Sequence, residues 1–590
     1  MILYRLNLVL FLVICLVFSC SQEKKIELPP PDYAKPGYTN LGSNSITTSL
    51  RFTDITAASG IDFVHQNGAF GKKWMPETTG SGGGFLDYDQ DGLPDLFIVN
   101  SSYWPGHAQS QTRPTPKLYR NLGKGKFEDV TEEARLDIVL YGMGCAFADY
   151  DSDGDTDIYL TAVGDNKLFR NDGGKFQDVT RAMKVAGNSD EPGRPSAWST
   201  SAAWVDVDRD GWLDLFVCNY VIWTPETDLF TTLDGKTKSY ATPQQYQGET
   251  CRLYRNLKGR GFENITEKAG VFNPEGKSLG VAIADFNEDG WPDIVVANDT
   301  QPNFLYMNKG DGTFTDMGLM AGIGYDEFGR ARAGMGIDVA DVSNTGRLSI
   351  AIGNFAREPI SLFTQINDGV FQDLAGRARL NSASLLRLTF GVLLQDFDLD
   401  GYADLFAANG HIEPEINNVQ KDITFEQTPQ LFLNDGKGRF TDVTAYVGDA
   451  CQQPIVARGL ATADIDDDGD LDLFITVNAG PPKLLRNDQP AERSNWIKFR
   501  LRGKSPNLDA VGAAVSVWSG DLQQTRLVRS GSSFLSQSFC DELVFGLGPS
   551  GKVDSIEVRW PTDGAVTRLV DAPAGSTYLI SEVAAGLQRK

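Results

Sequence analysis

The sequence carries an acidic nine-residue pattern, Asp-x-Asp-x-Asp-Gly-x-x-Asp, whose first copy runs from Asp87 to Asp95. Carboxylates at positions 1, 3, 5 and 9 can converge on one hard cation that takes six to eight oxygen ligands. Gly92 lets the backbone turn sharply enough to bring them together, and a carbonyl near position 7 would complete the shell. The pattern predicts a calcium loop, shorter than the twelve-residue loop of an EF-hand.

Seven copies of this loop occur, and six keep their oxygen ligands. The six predicted calcium sites are Asp87, Asp89, Asp91 and Asp95; Asp149, Asp151, Asp153 and Asp157; Asp206, Asp208, Asp210 and Asp214; Asp285, Asn287, Asp289 and Asp293; Asp396, Asp398, Asp400 and Asp404; and Asp464, Asp466, Asp468 and Asp472. The remaining loop has Asp341, Ser343, Thr345 and Ser349 at these positions. With a single carboxylate, it is expected to be empty.

The alternative is a set of acidic turns held by Asx hydrogen bonds without metal. Four converging carboxylates repel one another, which favours a bound cation. The chain has 78 acidic and 54 basic residues and a formal net charge of −24, which argues against phosphate-mediated binding of nucleic acid. About six Ca²⁺ ions would offset half of that charge. We expect them to be structural, because nothing beside the loops offers an acid, a base or a nucleophile.

Three submotifs position these loops and recur in a fixed cycle. An apolar run, the acidic loop and a β-branched run come first, an LYRN-like strand second, and an F-x-D-V-T-like strand third. Turns such as GKGK and GDGT separate the last two, which is typical of hairpins. Four strands in a unit of roughly 60 residues, repeated seven times, predict an all-β, seven-bladed β-propeller with Ca²⁺ loops.

The ends of the repeat region predict how the ring closes. An unpaired F-x-D-V-T-like strand begins at Phe52, and the last LYRN-like strand, at Leu484, has no partner after it. The first strand can therefore complete the last blade and remove the open sheet edges. A calcium-binding β-helix would repeat every few residues, and paired EF-hands would need amphipathic helices, so both fit less well.

The loops and their flanks resemble the FG-GAP/VCBS repeats of integrin α-type propellers. After Asn495, the segments NLDAVGAAVSVWSG, LVFGLG and VDSIEVRWPTDG resemble an ASPIC/UnbV domain, although WPTDG departs from the usual position of the glycine. Together they resemble the cartilage acidic protein family and its bacterial relatives. This implies a propeller over 50–490 and a small C-terminal β domain over 491–585, which alternating runs also favour.

The N-terminus predicts export. Residues 1–19 are typical of a signal peptide, and VFSC resembles a bacterial lipobox with lipid on Cys20. Residues 20–49 read as a flexible tether. We therefore expect an envelope lipoprotein, favoured at the outer membrane, that meets the membrane through its lipid anchor only; the alternative is an ordinary signal peptide. Cys218 and Cys251 bracket one insertion and are the preferred disulfide pair.

Long insertions follow the second and fourth strands of several blades and share the face opposite the calcium loops, here called the insertion face. The candidate ligand residues on it are His65, Trp74, Tyr103, Trp104, His107, Tyr220, Trp223 and His411. Loops on a rigid scaffold concentrate binding residues, and exposed aromatics anchor interfaces or stack on sugars. The alternative is that these aromatics pack the long loops against the ring.

Three functions fit this sequence. The leading one is a non-catalytic binding or adhesion protein with an extracellular protein or glycan ligand. The second is a carbohydrate lyase or hydrolase that pairs the histidines with Glu77, Glu413 or Glu415. The third is a structural component of an envelope complex, docked through the C-terminal domain.

Overall fold

A computed structural model describes residues 48–108, 110, 113–187, 197–490, 495–584 and 586–589. The predicted signal peptide, Cys20 and all but the last two residues of the predicted tether lie outside these ranges. The chain divides into two units, Met1–Thr47 and Thr48–Lys590, and all that follows concerns the second. Among the described residues, no helix has the length and apolar character needed to cross a membrane.

Seven four-stranded antiparallel sheets form the blades of a β-propeller. In chain order, the strands of this part are β1 (Phe52–Asp54), β2 (Gly83–Leu86), β3 (Asp95–Ile98), β4 (Lys117–Asn121), β5 (Phe127–Asp129), β6 (Gly142–Ala148), β7 (Asp157–Ala162), β8 (Lys167–Asn171), β9 (Phe176–Asp178), β10 (Ser199–Val205), β11 (Asp214–Asn219), β12 (Thr231–Thr232), β13 (Lys238–Ser239), β14 (Arg252–Asn256), β15 (Phe262–Asn264), β16 (Ser278–Ala284), β17 (Asp293–Asn298), β18 (Phe304–Asn308), β19 (Phe314–Asp316), β20 (Gly334–Ala340), β21 (Ser349–Asn354), β22 (Ser361–Asn367), β23 (Val370–Asp373), β24 (Thr389–Gln395), β25 (Asp404–Asn409), β26 (Gln430–Asn434), β27 (Phe440–Asp442), β28 (Ala457–Ala463), β29 (Asp472–Val477) and β30 (Lys483–Asn487). The short β12–β13 hairpin belongs to an insertion and to no blade.

The ring closes as the sequence predicts. The seventh blade has the order β1-β30-β29-β28, and Phe52 lies opposite Asn487. β1, the first strand among the described residues, thus covers the edge that β30 would otherwise expose. Hydrophobic side chains pack between neighbouring blades; Phe97 of the first blade and Phe147 of the second are both buried, with ring centroids 6.1 Å apart.

The remaining strands build a separate β domain. They are β31 (Asn495–Arg502), β32 (Ala514–Ser519), β33 (Leu522–Leu527), β34 (Glu542–Gly548), β35 (Lys552–Arg559), β36 (Val566–Pro573), β37 (Ser576–Ser581) and β38 (Leu587–Arg589). They form two four-stranded sheets, β34-β31-β37-β38 and β33-β32-β35-β36, around a core that contains Phe499, Val515 and Trp560. The alternation predicted for this domain is observed: in β32, buried side chains alternate with half-buried ones.

Helical segments are short and confined to connections. Among the described residues the α-helices are Thr56–Ser59, Thr180–Met183, Leu380–Ser384 and Ile416–Val419, and the 3₁₀ turns are Met75–Thr78, Pro225–Thr227, Pro243–Gln245, Thr444–Tyr446 and Asp449–Gln452.

A loop of the C-terminal domain fills the centre of the ring. Residues 528–541, between β33 and β34 and here called the axial loop, reach the inner strands of most blades. The backbone of Gln537 bonds the first blade, that of Ser533 exchanges two hydrogen bonds with Ile337 of the fifth, and that of Phe539 bonds the seventh. The Leu535 carbonyl accepts from Cys145 N–H of the second blade at 3.3 Å.

The axial loop explains the small residues of the inner strands. A Cβ placed on Gly82 would lie 1.9 Å from the Leu535 carbonyl oxygen, and one on Gly84 would lie 2.2 Å from the Gln537 carbonyl oxygen. Any side chain at these positions would displace the loop. The glycines therefore admit a segment from another domain as well as relieving crowding among the strands.

Candidate functional site

The acidic loops share one backbone geometry, set within nine residues. In the first loop, Gly92 N–H donates to Asp87 Oδ2 at 2.9 Å. Asp95 begins β3, where its carboxylate accepts from Tyr88 N–H at 3.1 Å and from Asn121 N–H at 2.7 Å. The position-9 aspartate thus ties the loop to the LYRN-like strand, and burial raises its pKa to about 8.

Five loops gather three carboxylates each. Carboxylate oxygens lie within 4.8 Å of one another in Asp87, Asp89 and Asp95; Asp149, Asp151 and Asp157; Asp206, Asp208 and Asp210; Asp396, Asp398 and Asp404; and Asp464, Asp466 and Asp472. These are the five loops with Asp at all four predicted positions. Their spacing fits a hard cation that takes several oxygen ligands.

Buried carboxylate oxygens without hydrogen-bond partners support the binding of a cation by these loops. Buried carboxylate oxygens without a hydrogen-bond partner occur in four of these loops, on Asp87, Asp89, Asp151, Asp206, Asp208, Asp466 and Asp470. A buried charged oxygen is costly unless it is paired or binds metal. The residues present therefore fit Ca²⁺ well. Asp470, at position 7 of the last loop, was not among the predicted ligands, since that position usually supplies a carbonyl.

The two degenerate loops keep the turn but differ in ligands. In the fourth, Asn287 Nδ2 donates to Asp289 Oδ2 at 2.8 Å, so the amide already bonds a neighbouring ligand candidate. In the fifth, Gly346 N–H donates to Asp341 Oδ2 at 2.5 Å although the other carboxylates are missing. Binding at Asp285, Asn287, Asp289 and Asp293, and an empty fifth loop, remain predictions.

The C-terminal domain lies on the face that carries these loops. Arg500 donates to the Gly92 carbonyl, and Asp509 accepts from Asp149 N–H at 2.7 Å. Lys498, almost wholly buried, contacts Asp464 Oδ2 at 2.7 Å. One predicted calcium ligand is therefore shared with an ammonium group of the other domain.

The fifth blade has a different link to that domain. Asp338 on β20 is fully buried and forms an ion pair with Arg529 of the axial loop. It lies three residues before Asp341; the equivalent residues of the other blades are Gly84, Ala146, Ala203, Ala282, Leu393 and Ala461. The blade whose acidic loop keeps a single carboxylate at the ligand positions thus carries a buried carboxylate where the other six blades have Gly, Ala or Leu.

The aromatic candidates on the insertion face mostly pack together. Trp74 lies 5.0 Å from Trp104 and 5.8 Å from Trp223 between ring centroids. Tyr220 is buried against Trp198. Trp104, Tyr220 and Trp223 are buried, whereas Trp74 is half-buried. The cluster holds the insertions on the ring, and it also contains Phe534 and Leu535 of the axial loop.

Tyr103 and His107 lie nearer solvent. Tyr103 is half-buried and His107 exposed, and His107 stacks on Phe70 with ring centroids 4.0 Å apart.

His65 and His411 are buried close to Arg458. Burial and the nearby guanidinium lower the pKa of His65 to about 3 and that of His411 to about 4, so both rings are neutral. Arg458 is fully buried and donates to the carbonyls of Thr78 and Gly410 at 2.7 and 3.1 Å. It bridges two insertions and stacks over Phe390.

The acids weighed for catalysis bind other side chains. Lys73 Nζ lies 2.6 Å from Glu413 and 2.7 Å from Glu415. Glu77 is buried and accepts from the Tyr240 hydroxyl at 3.0 Å; burial raises its pKa to about 7.

Cys218 and Cys251 are neighbours but are free thiols in this structure. Cys218 follows Val217 on β11, and Cys251 precedes Arg252 on β14, the residue that pairs with Val217. Cys251 Sγ contacts Ser278 Oγ at 3.2 Å. A disulfide between them remains a prediction.

Comparison with known families agrees with this architecture. The FG-GAP-like repeat family matches residues 87–160, 149–217, 285–352 and 396–475, which include all seven acidic loops, and the ASPIC and UnbV family matches residues 503–586. The chain is an FG-GAP-repeat protein with an ASPIC/UnbV domain. The two resemblances in the sequence are thereby confirmed.

This FG-GAP and ASPIC/UnbV protein is homologous to cartilage acidic protein 1. It is 26% identical to the human protein over 451 residues, which is 72% of this chain and 61% of that protein. The mouse protein is 26% identical over 514 residues, which is 82% of this chain and 71% of that protein. The chain thus spans about three-fifths of the human relative.

Similar solved structures include one described as the basis of specific recognition of non-reducing terminal N-acetylglucosamine by an Agrocybe aegerita lectin. It is 18% identical, covers 62% of this chain and 82% of that chain, and has a TM-score of 0.36. So low a score bears on neither the fold nor the ligand.

Proposed function

We propose that this chain is a non-enzymatic, calcium-stabilised binding protein of the adhesion type, held at the cell surface by its N-terminus. Its ligand is an extracellular protein or glycan, bound on the insertion face. FG-GAP repeats and an ASPIC/UnbV domain suggest this class of protein.

The choice of the insertion face as the ligand site rests on one observation. The C-terminal domain contacts the calcium loops through Lys498, Arg500 and Asp509, and its axial loop occupies the ring centre. The opposite face keeps the long insertions, with His107 and Phe230 exposed. Rigid scaffolds that present variable loops are typical binding surfaces.

The calcium loops have a supporting role in this proposal. Each lies inside one blade, between its two inner strands, and five gather three carboxylates. A bound ion neutralises those carboxylates and so stabilises the blade that presents the insertions.

The test is a binding screen on arrays of glycans and extracellular proteins, with the full mature protein in calcium. His107→Glu and Phe230→Glu, made separately, place charge on the insertion face. Gln177→Glu, on the exposed outer strand β9, is the matched control. We expect the first two variants to weaken binding and the control to retain it; the reverse pattern would place the ligand elsewhere.

A further inference from the structure

A small cavity lies under the insertions, beside the ring axis. Its volume is about 90 Å³, and its lining includes Met75, Tyr220, Asp299, Phe355, Glu358 and Phe390. The axial loop closes its inner end, because Phe390 packs on Phe534 with ring centroids 5.0 Å apart. The half-buried Phe355 and Glu358 lie toward solvent.

Two carboxylates line this cavity. Asp299 is only 6% exposed; its Oδ2 accepts from the Tyr220 hydroxyl, and among the described residues its other oxygen has no hydrogen-bond partner. Glu358 Oε2 accepts from Ala333 N–H at 2.7 Å, which leaves its second carboxylate oxygen similarly unbonded. A carboxylate that lines a cavity and has one oxygen without a hydrogen-bond partner favours a cationic ligand.

The cationic side chains closest to Asp299 bind other groups. Lys277 Nζ donates to the Pro243 carbonyl at 2.8 Å, and Arg332 pairs with Asp373 at 3.1 Å and Asp326 at 3.7 Å. Neither makes a direct ion pair with Asp299. Burial raises the pKa of Asp299 to about 7, as expected for a carboxyl that no adjacent cation compensates fully.

The remaining side chains that line the cavity suit the alkyl stem of a cationic ligand. Tyr220, Phe355 and Phe390 present aromatic rings, which attract cations as well as apolar groups. The volume equals roughly three water molecules at about 30 Å³ each, which is enough for a charged tip and a short alkyl segment.

We propose that this cavity binds the cationic tip of the ligand, a primary ammonium or guanidinium group on an alkyl stem. This inference rests on the proposed function, because it names the chemistry recognised on the insertion face. Two sources share that chemistry: a free alkyl amine or guanidine, and a lysine or arginine side chain of a protein partner.

The test is calorimetric titration of the full mature protein in saturating calcium. Agmatine represents the free ligand, an end-capped Gly-Arg-Gly peptide the side chain, and Gly-norleucine-Gly the uncharged control. Asp299→Asn removes the charge yet still accepts from Tyr220. Glu226→Gln, an exposed acid on the same face, is the matched control, and thermal melting verifies that each variant folds.

We expect saturable binding of agmatine or of the arginine peptide, at least tenfold weaker in Asp299→Asn and unchanged in Glu226→Gln. Binding of agmatine alone would assign a free alkyl amine or guanidine, and binding of the arginine peptide, with or without agmatine, would assign a side chain. No saturation by either probe into the millimolar range, or equal affinity in Asp299→Asn, would overturn the proposal.

The array screen separates this result from the proposed function. If array ligands bind the insertion face while neither cationic probe binds, the cavity proposal fails and the proposed function stands. If agmatine binds at Asp299 and changes on the insertion face leave every array ligand unaffected, the cavity binds a free cation and the face proposed for the array ligands is wrong.

Discussion

The ion pair between Arg529 and Asp338 should be the strongest single link between the two domains. Asp338 is fully buried, and the Arg529 side chain is only 14% exposed. Burial raises the pKa of Asp338 even beside the guanidinium, so loss of Arg529 leaves an uncompensated group inside the fifth blade. Breaking a buried pair from one side costs about 3–5 kcal/mol.

The expected loss in the free energy of unfolding differs between substitutions of the two partners. Arg529→Ala should lower the free energy of unfolding by about 3 kcal/mol, since Asp338 keeps the hydrogen bond from Leu394 N–H. Asp338→Ala should cost about 1 kcal/mol, because alanine occupies this position in four other blades and the freed guanidinium can reach water. The double variant should resemble Asp338→Ala at about 1 kcal/mol, whereas additive effects would give about 4 kcal/mol, so the coupling is about 3 kcal/mol.

Urea unfolding in saturating calcium, followed by circular dichroism, measures all four proteins. The coupling is the informative quantity, because it cancels what each substitution does alone. Additive effects, or an Arg529→Ala variant no less stable than Asp338→Ala, would refute the reasoning.

Three further predictions concern the metal loops, the axial loop and pH. Calcium at 2 mM should stabilise each loop by about 0.7–1.8 kcal/mol for dissociation constants of about 10⁻⁴–10⁻³ M. In thermal melts, Asp89→Ala should therefore lose that much calcium-dependent stability. Ser343→Ala, in the fifth loop, should lose none. Gly82→Ala should loosen residues 528–541 and raise their hydrogen exchange, because its Cβ would clash with a backbone carbonyl; Gly551→Ala, where a Cβ meets nothing within 4 Å, is the control. His65 is neutral in the folded protein, because its pKa is lowered from 6.5 to about 3. Its contribution to the free energy of unfolding is therefore intact above pH 6.5 and is lost as the pH falls toward 3, with a loss of about 2 kcal/mol at pH 5. Urea titrations at pH 5 and above pH 6.5 should show this loss in the unchanged protein and not in His65→Gln.

Local patterns predicted the ring well. The acidic loop needs only nine consecutive residues, so Asp87–Asp95 shows its chemistry in the sequence alone. The blades follow from short strands at regular spacing, and closure follows from the unpaired strand at Phe52. Each of these features depends on neighbours in sequence or on a simple count of strands.

Packing between residues far apart in the chain could not be predicted from the sequence. The contact of Gly82 with Leu535 joins residues far apart in the chain, and no local pattern marks residues 528–541 as the filling of the ring. Trp104 and Trp223 lie in insertions, which suggests exposure, yet they bury each other because the insertions meet above the axis. Whether such side chains face solvent depends on tertiary neighbours.

The closing strand and the axial loop together constrain how the chain assembles. Thr53 and Asp488 form a hydrogen bond across 435 positions, so the ring cannot close until nearly the whole propeller has been synthesised. The segment that occupies its centre comes later still, at residues 528–541. Six blades can form from local hairpins as they emerge, whereas the seventh and the inter-domain contacts wait for the end of the chain. We therefore expect truncation before β30 to leave an open, aggregation-prone arc, and truncation after it a closed ring with an empty centre.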